Sequence, residues 1–134
     1  QNQIFTVSGD LATRLEDRWE GMPLLSQNDI DFLEKAIDAF NAPLPPLKDF
    51  ILPGGTPSVT ALHICRVVCR RAEREIEELA AVEPIGDCIR AYVNRLSDFF
   101  YVLSRRLSHE LCQCGVASQE IIWQRQMARP DLPK

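Results

Sequence analysis

Phe50-Ile-Leu-Pro-Gly-Gly-Thr-Pro-Ser-Val-Thr-Ala-Leu-His-Ile-Cys-Arg-Val-Val-Cys-Arg-Arg-Ala-Glu-Arg74 decides the fold. Pro53-Gly54-Gly55 breaks whatever precedes it, because proline fixes φ and the glycines open the φ > 0 region. Thr56 or Ser58 can cap a new helix, with Pro57 tolerated in its first turn. Ala61, Cys65, Val68, Ala72, Ile76 and Leu79 then recur at three- and four-residue spacing, which predicts an amphipathic helix over about 57–81 with these residues as its buried stripe. Another face carries Arg66, Arg70, Glu73 and Glu77, with Arg71 and Arg74 beside them. So many guanidinium groups on one helix repel each other unless something anionic lies against them. Either the glutamates neutralise them in an intrahelical salt-bridge ladder, or an anionic ligand does.

Outward from this helix, the remaining chain reads as more helices. Residues 1–12 form a helix that runs out at Ser8-Gly9, and residues 13–25 form a polar, irregular connection. Ser26 and Asp29 make a capping box with a shortened acid, followed by an apolar helical face of Ile30, Leu33, Ala36, Ile37 and Phe40. Pro43, Pro45 and Pro46 end that helix and hold an extended segment as far as Phe50. After a turn at residues 83–87, Ile89, Tyr92, Val93, Leu96, Phe99, Phe100, Leu103 and Leu107 predict a long helix that frays near Gly115. A last short helix is expected over 116–127, around Trp123. No alternating pattern of strand length occurs, so the fold class is all-α, an antiparallel up-down helical bundle in a single domain over residues 1–134.

Composition narrows the function. With 134 residues, 46% hydrophobic and 25% charged, the chain has material for one soluble globular core. A net charge of −4 argues against a general nucleic-acid binder. No stretch approaches the ~20 apolar residues of a membrane span. The start at Gln1-Asn2-Gln3 has neither a secretory leader nor a methionine, which suggests the remainder of a longer chain. Five cysteines, an odd number without a leader, favour reduced thiols in a cytoplasmic protein. His109, Cys112 and Cys114 match no standard zinc spacing and lack a fourth ligand, so no protein-borne metal is expected; any role of Cys112 and Cys114 is open. His63, flanked by apolar residues, reads as a packed or turn-facing histidine rather than a base. Asn94 and Asp98 lie one turn apart on the long helix, bordering the core, and need polar partners. The arginine helix is the obvious source, either through a structural bridge or in a cleft for a phosphorylated ligand.

The block from Phe50 through Gly55, the run Ala61-Leu-His-Ile-Cys-Arg-Val-Val-Cys-Arg-Arg-Ala-Glu-Arg74 and the stretch Tyr92-Val-Asn-Arg-Leu-Ser-Asp-Phe-Phe100 resemble, in order and separation, the signature blocks of ATP:cob(I)alamin adenosyltransferases of the PduO type. Asp10-Leu-Ala-Thr13 and Glu120-Ile-Ile-Trp123 extend the likeness over nearly the whole chain. The resemblance implies a five-helix bundle assembling as a homotrimer with sites between subunits. It also implies a reaction in which reduced cobalt attacks C5′ of ATP, giving adenosylcobalamin and triphosphate. By the same likeness Arg70, Arg71, Glu73 and Arg74 bind ATP, Asn94 hydrogen-bonds the nucleoside, and Arg70, Asp98 and Phe50 are the catalytic residues. Arg66 pairs with an acid of a neighbouring subunit, Asp98 organises corrinoid handling, and Phe50 lies under the corrin ring, excluding the lower axial ligand. Mg²⁺ accompanies the triphosphate.

The family also carries an N-terminal glycine-rich phosphate loop. Ser8-Gly9-Asp10-Leu11-Ala12-Thr13 lacks that loop's second glycine and sits too close to Phe50, so it fits the end of the second helix instead. The phosphate loop and first helix are therefore expected to be missing from these residues. A non-catalytic corrinoid-binding or chaperone bundle, and a structural helical interaction protein, are the alternatives to an enzyme. The scarcity of histidine (2 residues) and the lack of Glu-x-x-His count against a di-iron bundle. The downstream pathway, the corrinoid range and any reductase or cobalamin-dependent acceptor enzyme are not encoded legibly.

Overall fold

A computed structural model describes residues 1–117 and 119–123. Among these the chain forms α1 (Asn2–Leu11), a 3₁₀ turn (Leu15–Asp17), α2 (Gln27–Asn41), α3 (Pro57–Ala80) and α4 (Asp87–Gln113). The starts and stops follow the local signals. Ser26 N–H donates to the Asp29 carboxylate at 2.9 Å, completing the capping box of α2. The Thr56 hydroxyl accepts from Val59 N–H at 3.4 Å, with Pro57 as the first residue of α3. Gly115, at φ +71°, closes α4: its N–H reaches Cys112 O at 3.0 Å and Val116 N–H reaches Leu111 O at 2.9 Å. That is a Schellman cap rather than a frayed end, and it needs a residue that accepts the left-handed region.

α4 is the centre of the bundle and packs against both α2 and α3. Contacts between α3 and α4 pair Cys69 with Val93, Glu73 with Asn94 and Glu77 with Arg90, so the two run antiparallel. Glu34 with Arg95 and Phe40 with Phe99 show α2 running parallel to α4. The up-down order expected from the sequence results. The core gathers Val7, Ile30, Leu33, Cys69, Ile76, Ile89, Tyr92 and Val93, with Ile89 fully buried. α1 runs two residues past Gly9 to Leu11, and its buried Asp10 is ion-paired to Arg18 of the following connection. Gly86, just before α4, lies against this pair: a Cβ there would stand 2.5 Å from Asp10 Oδ2.

Two further expectations are corrected. The buried line of α3 is Val59, His63, Cys69 and Ile76, with Arg66 and Glu73 half-buried between them. Ala61, Cys65, Val68 and Ala72, expected inside, are exposed. The helix is rotated because its packed face includes polar residues, which an apolar count passes over. The expected helix over 116–127 is also not formed in its described part. Ile51 and Ile122 make an isolated antiparallel bridge, with Leu52 N–H donating to Ile121 O at 2.8 Å and Trp123 N–H to Phe50 O at 2.7 Å. Once Gly115 has turned the chain, Ile121, Ile122 and Trp123 have the β-branched and aromatic character of a strand and find a partner in the extended segment. Residues 124–127 lie outside the described residues.

Candidate active site

Glu73 organises the polar wall. Its side chain is 15% exposed and comes from the half-buried line of α3, while Arg70, one turn earlier, is 46% exposed. One carboxylate oxygen of Glu73 pairs with Arg70; the other accepts from Asn94 Nδ2 at 2.9 Å across the α3/α4 seam. A cation and a side-chain amide are thereby fixed to the two ends of one carboxylate. Beneath them Cys69 donates to Val93 O at 3.3 Å. Burial first, and the nearby Glu73 charge second, push its thiol up to about 11, so it stays protonated and inert.

Asp98 takes its partner from its own helix. Arg95 Nη1 donates to it at 2.9 Å, and Arg95 Nε reaches Glu34 of α2 at 3.1 Å. The arginine helix expected to satisfy Asp98 does not do so. Glu77 likewise leaves the ladder, accepting from Arg90 of α4 at 2.7 Å, a bond that holds its carboxyl below the usual range. The guanidinium of Arg66 lies 5.1 Å from the Tyr101 ring centroid, a cation–π distance. Among the described residues Arg66, Arg71 and Arg74 have no acidic partner. The salt-bridge ladder is thus reduced to the single pair of Arg70 and Glu73. A groove of about 430 Å³ between α2, α3 and α4 includes Glu73, Asn94 and Arg95 in its wall. Arg71 is turned away from it, toward an apolar groove that α3 shares with α1 and α4.

Phe50 stands apart from this wall, ahead of α3 and about 20 Å of helix from Arg70 at 1.5 Å per residue. Its ring is 77% exposed and meets Trp123 edge-on, with centroids 6.5 Å apart. Trp123 is 47% exposed, so the two rings form an open aromatic face. Behind it lie His63, Arg105 and Glu120. Burial foremost, with help from Arg66, lowers the His63 pKa and keeps it a neutral, packed ring. Spacing alone offered no sign of Arg105, since it lies off the apolar line of α4 and its partners Pro45 and Glu120 are outside that helix. The pairing of Trp123 with Phe50 had a faint signal in the Ile-Ile-Trp run.

The profile of the family described as cobalamin adenosyltransferase matches residues 1–107. The chain is 40% identical over 126 residues to a cobalamin adenosyltransferase from Cupriavidus metallidurans, covering 94% of this chain and 62% of that protein. A corrinoid adenosyltransferase from Bacillus subtilis is 42% identical over 105 residues, covering 78% of this chain and 53% of its own length. The chain therefore spans little more than half the length of these relatives. Among solved structures, a variant PduO-type ATP:corrinoid adenosyltransferase from Lactobacillus reuteri, complexed with cobalamin and ATP, superposes with a TM-score of 0.82 at 32% identity. The superposition covers 92% of this chain and 66% of that one. A further variant of the same enzyme, complexed with ATP, gives a TM-score of 0.78. The bundle and the signature blocks along it have one common source: this chain belongs to the cobalamin adenosyltransferase family.

Proposed function

We propose that this protein transfers the 5′-deoxyadenosyl group of ATP to the cobalt of cob(I)alamin, giving adenosylcobalamin and triphosphate. The observation that carries the reading is the Glu73 carboxylate shared between Arg70 and Asn94. It presets a phosphate-binding cation beside an amide able to hydrogen-bond a nucleoside, at a fixed separation across two helices. Only one terminal nitrogen of Arg70 is engaged by Glu73. The rest of its planar fork remains for a phosphate.

Triphosphate leaves with several negative charges, and donors already in place lower the barrier most where charge develops. Arg70, Arg71 and Arg74 supply that charge on the nucleotide side, with Mg²⁺ arriving on the phosphates. Phe50 supplies an apolar surface under the corrin, which disfavours a lower axial ligand. Asp98, fixed by Arg95, organises the corrinoid side. Arg66 awaits an acid from a neighbouring subunit in a homotrimer whose sites lie between protomers. All five thiols are free, which accords with a reducing cytoplasm, and no described helix is long and apolar enough to cross a membrane. An electron-donating reductase upstream and a cobalamin-dependent enzyme downstream are the implied partners.

The test is the visible spectrum of chemically reduced cobalamin mixed with the full-length protein, ATP and Mg²⁺. Conversion to adenosylcobalamin is expected. Corrinoid binding without conversion would make the bundle a carrier, and no response to either substrate would leave the arginines a structural feature.

A further inference from the structure

Arg105 is 6% exposed and lies on α4 at the end of the seam remote from Arg70 and Glu73. It reaches both chain segments that build the aromatic face. Its Nη2 donates to Pro45 O at 3.1 Å, in the extended segment leading to Phe50. Its Nε stands 3.4 Å from Oε1 of Glu120, three residues before Trp123. Neither of these last two atoms has a hydrogen-bond partner among the described residues. The contact is therefore held by charge rather than by a directed bond, in a setting where water screens charge weakly. Glu120 also lines a small cavity with Ile51, Leu52, His63 and Ser108, directly behind the bridge between the two segments. Beyond this pair, the bridge, its two backbone hydrogen bonds and the edge contact of Trp123 with Phe50 tie residues 119–123 to the extended segment. One isolated bridge is a weak tether.

We infer that Glu120 and Arg105 form an ionic latch that keeps Trp123 against Phe50, making Glu120 a positioning residue for the corrinoid face. The inference rests on the corrinoid reading of Phe50 given above, but the latch itself is testable without any substrate. Removing the charge of Glu120 leaves Arg105 its bond to Pro45 and frees the segment on the other side. Only the bridge and the edge contact with Phe50 then hold Trp123, and the aromatic face loses one of its rings for part of the time. ATP recognition by Arg70, Glu73 and Asn94 is untouched, because it lies along the seam on other side chains.

The experiment uses the full-length protein with Trp19→Phe and with every tryptophan outside these 134 residues likewise replaced by Phe, so that Trp123 is the one fluorophore of its kind. Glu120→Gln and Glu120→Ala are compared with this parent for acrylamide quenching of Trp123, for helical circular dichroism, and for KM and kcat with corrinoid and with ATP. Both substitutions are expected to raise quenching equally at unchanged helix content. Corrinoid kcat/KM is expected to fall on the order of tenfold, below the ~100-fold that a misplacement of 1 Å can cost, with the ATP KM unchanged. Native quenching in Glu120→Gln would overturn an ionic latch. Raised quenching with corrinoid and ATP constants both unmoved would overturn the positioning role. Failure of the parent itself to adenosylate would instead sink the transfer reading, and the quenching comparison would still decide the latch.

Discussion

The two ends of the α3/α4 seam are built on different ranges of the chain. At the Arg70 end the pairs are short in sequence or lie directly across the helices: Arg70 with Glu73, Arg95 with Asp98, Asn94 with Glu73, Glu77 with Arg90. Most of these groups stand partly in water, and the helices would persist without them. At the Phe50 end the partners lie outside the helices: Arg105 with Pro45 and Glu120, Ile51 with Ile122. These contacts hold non-helical backbone that has no ladder of its own. On the function proposed above, polar residues therefore serve chemistry at the first end and architecture at the second.

The sharpest way to break this contrast is to delete a polar group at each end. Arg105→Ala removes a buried guanidinium and leaves Glu120 and Pro45 O without their partner. The expected loss is about 3 kcal/mol, the low end for breaking a buried pair, because Glu120 keeps part of its side chain in water. Urea unfolding followed by circular dichroism measures it. An unchanged midpoint would show that the Phe50 end carries no architectural load. Arg70→Ala has the opposite profile. Adenosylation is expected to fall by a factor on the order of 10²–10³, as for loss of a charge-stabilising donor, at an unaltered urea midpoint. Normal turnover in that variant would remove α3 from the nucleotide site.

How much of this was legible follows the same division. The start of α3 at Thr56 and Pro57, the box of Ser26 and Asp29, and the stop at Gly115 are signals contained within three or four residues, and each marks its place in the structure. The polar pairs were half legible: Arg70 and Glu73 share a face by spacing, but Asp98 turned to Arg95 on its own helix. The stripe of α3 was misread because its packed line passes through His63, Arg66 and Glu73, which no apolar count selects. Residues 119–123 were misread because their partner lies some seventy positions away, and periodicity cannot report a pairing of that range. Arg105 went unseen for the same reason.

A third test lies outside the seam, at another long-range contact. Gly86→Ala places a methyl group against the buried carboxylate of Asp10 and the guanidinium of Arg18, at 2.5 and 2.9 Å. Asp10 is 4% exposed and cannot swing into water without giving up Arg18. Overpacking of this kind is expected to cost about 1–3 kcal/mol, read as a lower urea midpoint, with adenosylation per folded molecule unchanged. An unaffected midpoint would mean that α1 and its connection yield freely, and that long-range polar contacts are not uniformly architectural.

The smallest effect belongs to the most local device. The backbone N–H of Ser26 first, and its hydroxyl second, hold the Asp29 carboxyl below its ordinary value of 3.8. A group whose folded pKa is depressed contributes stability that is fully present above the unfolded value and disappears as pH falls through the folded one. Asp29→Asn is therefore expected to cost about 0.5 kcal/mol at pH 7, the low end for a helix cap, since the site is open to water. That difference should shrink as the pH is lowered below about 4 and the native carboxylate takes up its proton. Urea midpoints of the two proteins at pH 7, 4 and 3 measure it. A gap that stayed constant to pH 3 would assign the cap to shape rather than charge. A gap that closed on schedule would show α2 started by a four-residue device, in contrast to the Arg105 end of the seam, which depends on partners in non-helical segments.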